Sequence, residues 1–213
     1  MIGMKENDCS LVRMGDRDLF LANSAVEKLV DMAEYLDVMS VCGKYLGSSD
    51  FATWTGSAES FQHHYGTGGL ARHTCEVVEL CFQVLEYYIK LGMGKVDSVE
   101  LFLAAFFHDL GKLHDFQKVD GIWCGSDHKR YIHHISRSAI IWSEEVKKNQ
   151  YIYDMYYEKV LHAILAHHGN RGAGSPVAPK SRVAWLVHFC DGISARYADA
   201  DTLDVIHGEV KSD

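Results

Sequence analysis

Five short stretches of this sequence place imidazoles and carboxylates where they could share a cation. His73 falls in the first turn of an expected helix behind a glycine loop, and the pair His108-Asp109 closes a helix that is otherwise apolar. His134 opens a later helix, His167 and His168 close another, and Asp191 sits midway along an apolar last helix. A histidine and a carboxylate at the end of so apolar a helix are costly to bury without partners. A core histidine satisfied by a nearby acid accounts for that one pair taken alone. The other four stretches lie at helix ends or inside helices that pack on a core, so a bundle can aim them at one centre. A mixed imidazole and carboxylate set suits one or two divalent ions of manganese, iron, zinc, nickel or cobalt rather than calcium or copper-thiolate chemistry. Asp109 has two oxygens, which makes it the natural bridge between two ions, and a hydroxide activated between them could attack phosphorus in line.

Three cations stand near these stretches. Lys112 follows His108 by one helical turn, provided the helix persists, and could neutralise charge on phosphoryl oxygens. Arg137 shares a helix face with His134, and Lys180 lies in the loop before the last helix; each reads equally as a phosphate clamp or a solvated charge. His167 and His168 compete for one ligand role, because neighbours on a helix diverge by about 100°. The sequence has 13 histidines, and His63, His64, His128, His133, His162, His188 and His207 read as exposed or hydrogen-bonded residues.

The elements that must carry these groups are helical. Two prolines in 213 residues, both in one loop, permit long uninterrupted helices. Apolar spacing predicts a helix over 24–46 through Val26, Leu29, Val30, Ala33, Leu36, Met39 and Cys42, capped by Asn23 or Ser24, with a break at Gly47 to Asp50. A short helix is expected over Ser57 to Tyr65, then the GTGG loop at 66–69 and a helix over 70–91. Asp97 with Glu100 forms a capping-box start for VELFLAAFFHDL, stopped by Gly111 and buried nearly all round. Asp120-Gly121 between Val119 and Ile122 predicts a small hairpin within 116–124. Helices follow at about 131–148, about 154–168, and from a Ser181 cap to about Tyr197.

We therefore expect an all-α fold, a helical bundle with at most that hairpin. Residues 1–213 read as one domain, with 1–22 as an N-terminal extension and 199–213 as a peripheral, acidic C-terminal tail. Hydrophobic residues at 47% and charged residues at 23% suit an ordinary globular core. The sequence shows neither a signal peptide nor a membrane span, and six cysteines without a CxxC pair suit reduced core thiols, so a cytoplasmic protein is expected. A formal charge of −8 argues against a broad basic surface for long nucleic acid and favours a small or short phosphorylated substrate.

The order His73, His108-Asp109, His134, His167/His168, Asp191 resembles the H…HD…H…H…D signature of the HD superfamily of metal-dependent phosphohydrolases. HHYGTGGLARHT (63–74), AAFFHDLGKL (104–113), HHIS (133–136), LAHHG (165–169), GSPVAPK (174–180) and VHFCDGISAR (187–196) are similar to the HD domain of YhaM-like 3′-5′ exoribonucleases. The resemblance runs from about residue 60 to 198. It implies an HD-domain helical bundle, a divalent metal pair, Asp109 and Lys112 in catalysis, and His64 as a substrate contact matching a histidine of that block. Two positions depart from the branch: Arg72 stands where an acidic residue is usual, and His133 where a glycine is expected. The branch also carries an OB-type domain ahead of its HD domain, whereas residues 1–60 here read as helical.

The function expected is hydrolysis of a phosphate ester of a nucleotide or short oligonucleotide, phosphodiesterase-like or nuclease-like, with a nucleotide or short single-stranded nucleic acid as partner and no membrane. A homo-oligomer is compatible with the sequence. Two other classes are carried: an HD-type di-iron oxygenase on the same ligand set, and a nucleotide-binding regulatory protein with a degenerate site. The presence of every expected ligand speaks against the last.

Overall fold

A computed structural model describes residues 14–58 and 62–208. In chain order the elements are α1 (Met14–Tyr35), α2 (Met39–Leu46), α3 (Ser49–Thr53), α4 (Gly69–Lys90), α5 (Ser98–Phe107), α6 (Lys112–Asp115), β1 (Phe116–Val119), β2 (Ile122–Gly125), α7 (Asp127–Tyr131), α8 (His134–Glu145), α9 (Gln150–Ala166) and α10 (Arg182–Gly208). The architecture is all-helical apart from the antiparallel β1-β2 pair, whose register runs from Phe116 opposite Gly125 to Val119 opposite Ile122. The Asp120-Gly121 turn has positive φ at both residues (50° and 83°), the geometry that a two-residue hairpin needs.

The most apolar stretch takes the centre. The Asp97 carboxylate caps α5 by accepting from the N–H groups of Val99 (2.8 Å) and Glu100 (3.1 Å). Every side chain from Leu101 to Phe107 is then buried. Helices α4, α8, α9 and α10 pack around α5, and α1 packs on the outer side of α4. Burying a Phe or Leu contributes about 1.5–3 kcal/mol each, so this run anchors the helix whose last turn carries His108 and Asp109. Among the described residues no helix is long and apolar enough to cross a membrane.

Several predicted boundaries move. The expected helix over 24–46 is two helices: α1 begins at Met14, and the chain turns at Asp37 (φ 55°) before α2. Apolar spacing runs through this break because both helices bury their apolar side in one core. Ser57 to Tyr65 form no helix among the described residues; Ser57 and Tyr65 meet in an isolated parallel bridge, and 59–61 lie outside the described residues. The helix expected over 131–148 starts only at His134, and α3, α6 and α7 are short helices that periodicity could not resolve. Helix α10 continues past Tyr197 to Gly208, through much of the segment read as a tail.

Candidate metal centre

Each candidate ligand is delivered by a helix end or a helix face. His73 lies in the second turn of α4 and is fully buried. The chain leaves α5 at His108 and reverses so tightly that Gly111 lies against the start of α8. A Cβ on Gly111 would sit 2.1 Å from the His134 carbonyl oxygen, and the Gly111 N–H donates to Ser138 Oγ at 2.8 Å. Only glycine allows this crossing, which sets Asp109 beside His134. Helix α9 ends at Ala166, so His167 and His168 follow in a turn, and Asp191 projects from α10.

The residues assemble into two adjoining groups sharing one carboxylate. In the first, His73, His108, Asp109 and Asp191 bring one ligand atom each within 4.8 Å of one another. His73 Nε2 lies 3.3 Å from Asp109 Oδ2, 3.1 Å from Asp191 Oδ1 and 3.4 Å from His108 Nε2. In the second, His134, His167 and His168 converge. His134 Nε2 is 3.4 Å from His168 Nε2 and 3.4 Å from Asp109 Oδ1, and His167 Nε2 is 3.6 Å from that oxygen. Such spacings are near the roughly 3.4 Å edge of a tetrahedron of ligands at about 2.1 Å from an ion. Outside the helix, the rings of His167 and His168 approach to 4.4 Å between centroids, and both lie in the second group.

Outer hydrogen bonds fix which ring nitrogen faces inward. The Nδ1 of His108 donates to the Ala105 carbonyl (2.7 Å), that of His167 to the Ile164 carbonyl (2.7 Å) and that of His168 to the Ala173 carbonyl (3.2 Å). His73 Nδ1 donates to Ser194 Oγ (3.0 Å), whose own proton goes to Glu76 (2.8 Å). His134 Nδ1 donates to Asp115 Oδ2 (3.1 Å). With Nδ1 turned outward, His73, His108, His134 and His167 each face a carboxylate oxygen through Nε2, and His168 faces His134 Nε2. Asp109 Oδ1 and His167 Nε2 are buried with no hydrogen-bond partner. Native interiors rarely leave such atoms unpaired, and a cation between them satisfies both. The donor set therefore fits a pair of divalent ions, with Asp109 facing each pocket through a different oxygen.

The electrostatics agree. Burial alone would raise the Asp109 carboxyl, but the charges of Lys112, His108 and His134 hold it well below the usual carboxylate range. Asp191 is likewise held far down against its burial, by His73 and His108. Burial drives His134 down to about 4 and His167 well below its ordinary value, so both rings are neutral at physiological pH. His73 is the exception: burial works against its charged form, yet its bonds to Asp109 and Asp191 raise it. Lys112, nearly buried, sets Nζ 2.7 Å from Asp109 Oδ2; it reaches there from the first turn of α6, since α5 does not persist.

A cleft of about 390 Å³ opens onto the cluster, lined by Asp109, Lys112, His167, His168 and Asp191 together with Gln62, His63, His188 and Arg196. The other expected substrate contacts lie elsewhere. Arg137 donates Nε–H to His128 Nε2 at 2.9 Å. Lys180 is exposed, its backbone N–H donating to His162 Nε2. His64 is buried, with Nε2 on Glu76 at 2.9 Å and Nδ1 3.1 Å from His63 Nδ1. The side chain of His207 lies outside the described residues. Sequence reasoning missed Asp115, Ser194, Glu76 and Arg196. Arg196 could have been found from its place one turn beyond Asp191 and Gly192, whereas the role of Asp115 depends on the chain reversing after α6.

A family model described as "HD domain" matches residues 61–196. Among curated proteins the chain is similar to the 3′-5′ exoribonuclease YhaM of Shouchella clausii, 30% identical over 143 residues, covering 65% of this chain and 41% of that protein. The corresponding proteins of Bacillus licheniformis and Bacillus subtilis are 30% and 29% identical over 149 residues, each covering 65% of this chain and 42% of theirs. The chain thus spans about two fifths of the length of these relatives. No solved structure matches it.

Proposed function

Because the chain belongs to the HD domain family, we propose that it is a metal-dependent phosphohydrolase acting on a phosphate ester of a nucleotide or short single-stranded nucleic acid. The observation that carries this reading is the Asp109 carboxylate, buried between two ligand groups with Oδ1 unpaired. Two divalent ions held there would supply Lewis acidity toward phosphoryl oxygens and lower the pKa of a water between them, making it a nucleophile at neutral pH. The first ion would be held by His73, His108, Asp109 and Asp191, the second by Asp109, His134, His167 and His168.

The chain's own groups do the rest. Lys112 sits at the cleft floor with a fixed positive charge for the non-bridging oxygens of the reacting phosphate, and Arg196 on the cleft wall suits an adjacent phosphate. We assign these contacts to Lys112 and Arg196 rather than to Arg137, Lys180 and His64, whose hydrogen bonds or position direct them elsewhere. A volume of about 390 Å³ lies at the lower end of small-ligand pockets, which favours one nucleotide unit at a time. The activity of the relatives, 3′-5′ exoribonuclease, releases such units and supports RNA ends as a substrate to test. The described cysteines are free thiols, four of them buried, in keeping with a cytoplasmic setting.

The test is hydrolysis of a panel of nucleotides, cyclic nucleotides and short RNA and DNA by manganese-loaded protein without oxygen, with the products identified. Turnover that occurs only with iron and oxygen would replace this reading with the di-iron oxygenase one.

A further inference from the structure

Behind the three-imidazole pocket runs a chain of side chains that the proposed reaction does not use. Asp115, at the end of α6, is fully buried. Its Oδ2 accepts from the backbone N–H of His134 at 3.0 Å and from His134 Nδ1 at 3.1 Å. Its Oδ1 faces His128 Nδ1 at 3.0 Å. His128, brought back on α7 by the hairpin, meets Arg137 Nε at 2.9 Å through its other nitrogen.

The direction of every bond in this chain is fixed by the groups themselves. Arginine only donates, so His128 Nε2 must be the acceptor. The His128 proton is then on Nδ1 and goes to Asp115. An ionised Asp115 only accepts, so it also takes the His134 proton, leaving the His134 Nε2 lone pair aimed at Asp109 Oδ1, 3.4 Å away. The other pocket has its own outer partners in Ser194 and Glu76 and shares none of these residues.

We infer that Arg137 and His128 are positioning residues which, through Asp115, lock the tautomer and ring plane of His134 and thereby set the cation affinity of the three-imidazole pocket alone. The inference rests on reading the cluster as a metal centre. It gives Arg137 a task that a phosphate clamp does not share, and the two roles separate experimentally: a clamp acts on substrate affinity, a positioning chain on metal affinity. Outer partners of metal-bound histidines are typically worth about 10- to 100-fold in affinity.

The test loads the whole chain and its Arg137→Gln, Arg137→Lys and His128→Ala variants with manganese, dialyses them against graded free Mn²⁺, and counts ions per chain by elemental analysis. In parallel, kcat and KM for bis(p-nitrophenyl) phosphate are measured at each metal concentration. The Gln and Ala variants should keep one ion as the unaltered protein does and need about 10- to 100-fold more free manganese to hold the second. At saturating manganese their KM should equal that of the unaltered protein and kcat should be regained, with Arg137→Lys, which like arginine can only donate whereas glutamine can also accept, falling between. Arg137→Gln is a half-buried position whose variant should fold, so the metal count stands even if His128→Ala does not. An Arg137→Gln protein that holds both ions normally overturns the inference, and a raised KM at saturating metal would show a phosphate contact instead. Unaltered protein that takes up no manganese overturns both this inference and the metal-centre reading beneath it.

Discussion

Asp109 concentrates the demands of the site in one side chain: one oxygen per pocket, almost no exposure, and the Lys112 ammonium 2.7 Å from Oδ2. Replacing it with alanine removes a ligand from both pockets and leaves His73 and His134 without their shared anion. Asp109→Ala should therefore lose both ions, by elemental analysis, together with all hydrolysis, and unchanged metal content would count heavily against the assignment. Lys112 tests a separate contribution, because it supplies charge and no ligand atom. Lys112→Ala should retain its metal while kcat falls by about 10²- to 10³-fold, the usual loss on removing one group aimed at developing negative charge. A Lys112→Ala enzyme with normal kcat would confine that lysine to neutralising Asp109.

At the scale of elements, two backbone positions decide whether the ligands meet. His133 precedes α8 with φ 68° and ψ 149°, a conformation that suits glycine and strains a residue bearing a side chain. It is also the position where the resemblance leads one to expect glycine. His133→Gly should raise stability by about 1 kcal/mol, the strain relieved less the added freedom of the unfolded chain, as read from urea unfolding; a loss of stability would mean that the ring, packed 4.1 Å from that of His134, outweighs the strain. Gly111 works in the opposite sense. Its crossing with α8 leaves no room for a Cβ, and the atom in the way is backbone. Gly111→Ala should cost about 1–3 kcal/mol, as overpacking does, and should weaken the second ion by moving α8 away from Asp109. A variant of full stability and full metal content would show that the crossing can open without consequence.

For the molecule as a whole, the histidines set the response to acid. An ordinary imidazole titrates near 6.5, whereas burial brings His134 to about 4 and His63 to about 3, with the charge of Lys112 adding to the latter. His64 and His167 are also lowered, mainly by burial. The unfolded chain therefore takes up protons that the folded one refuses, and stability falls as pH drops from 6.5 through 4. His73, raised by its carboxylates, opposes this. The depressed carboxyls of Asp109 and Asp191 contribute fully above the ordinary aspartate value of about 3.8 and are lost only below it. The metal-free protein should thus melt at a lower temperature at about pH 5 than at about pH 7.5. A Tm that rises on acidification would show that these rings are solvated rather than buried.

The sequence by itself determined the types of the candidate ligands and most of the helices that carry them. The HD pair at the end of an apolar run, the flanking glycines and the Asp120-Gly121 turn are local signals, and local spacing is enough to read them. The same spacing could not separate α1 from α2, since both bury an apolar side in one core, nor resolve helices of four or five residues such as α6 and α7. Nor could it assign the outer partners. Asp115 looks like any surface acid until the hairpin returns His128 to one of its oxygens and α8 brings His134 to the other. Likewise Arg137 shares a helix face with His134, which spacing revealed, but whether it turns to the cleft or to His128 depends on what α7 places beside it. The tertiary structure alone decided this, because hydrogen bonds between groups far apart in the chain exist only once the intervening turns have closed.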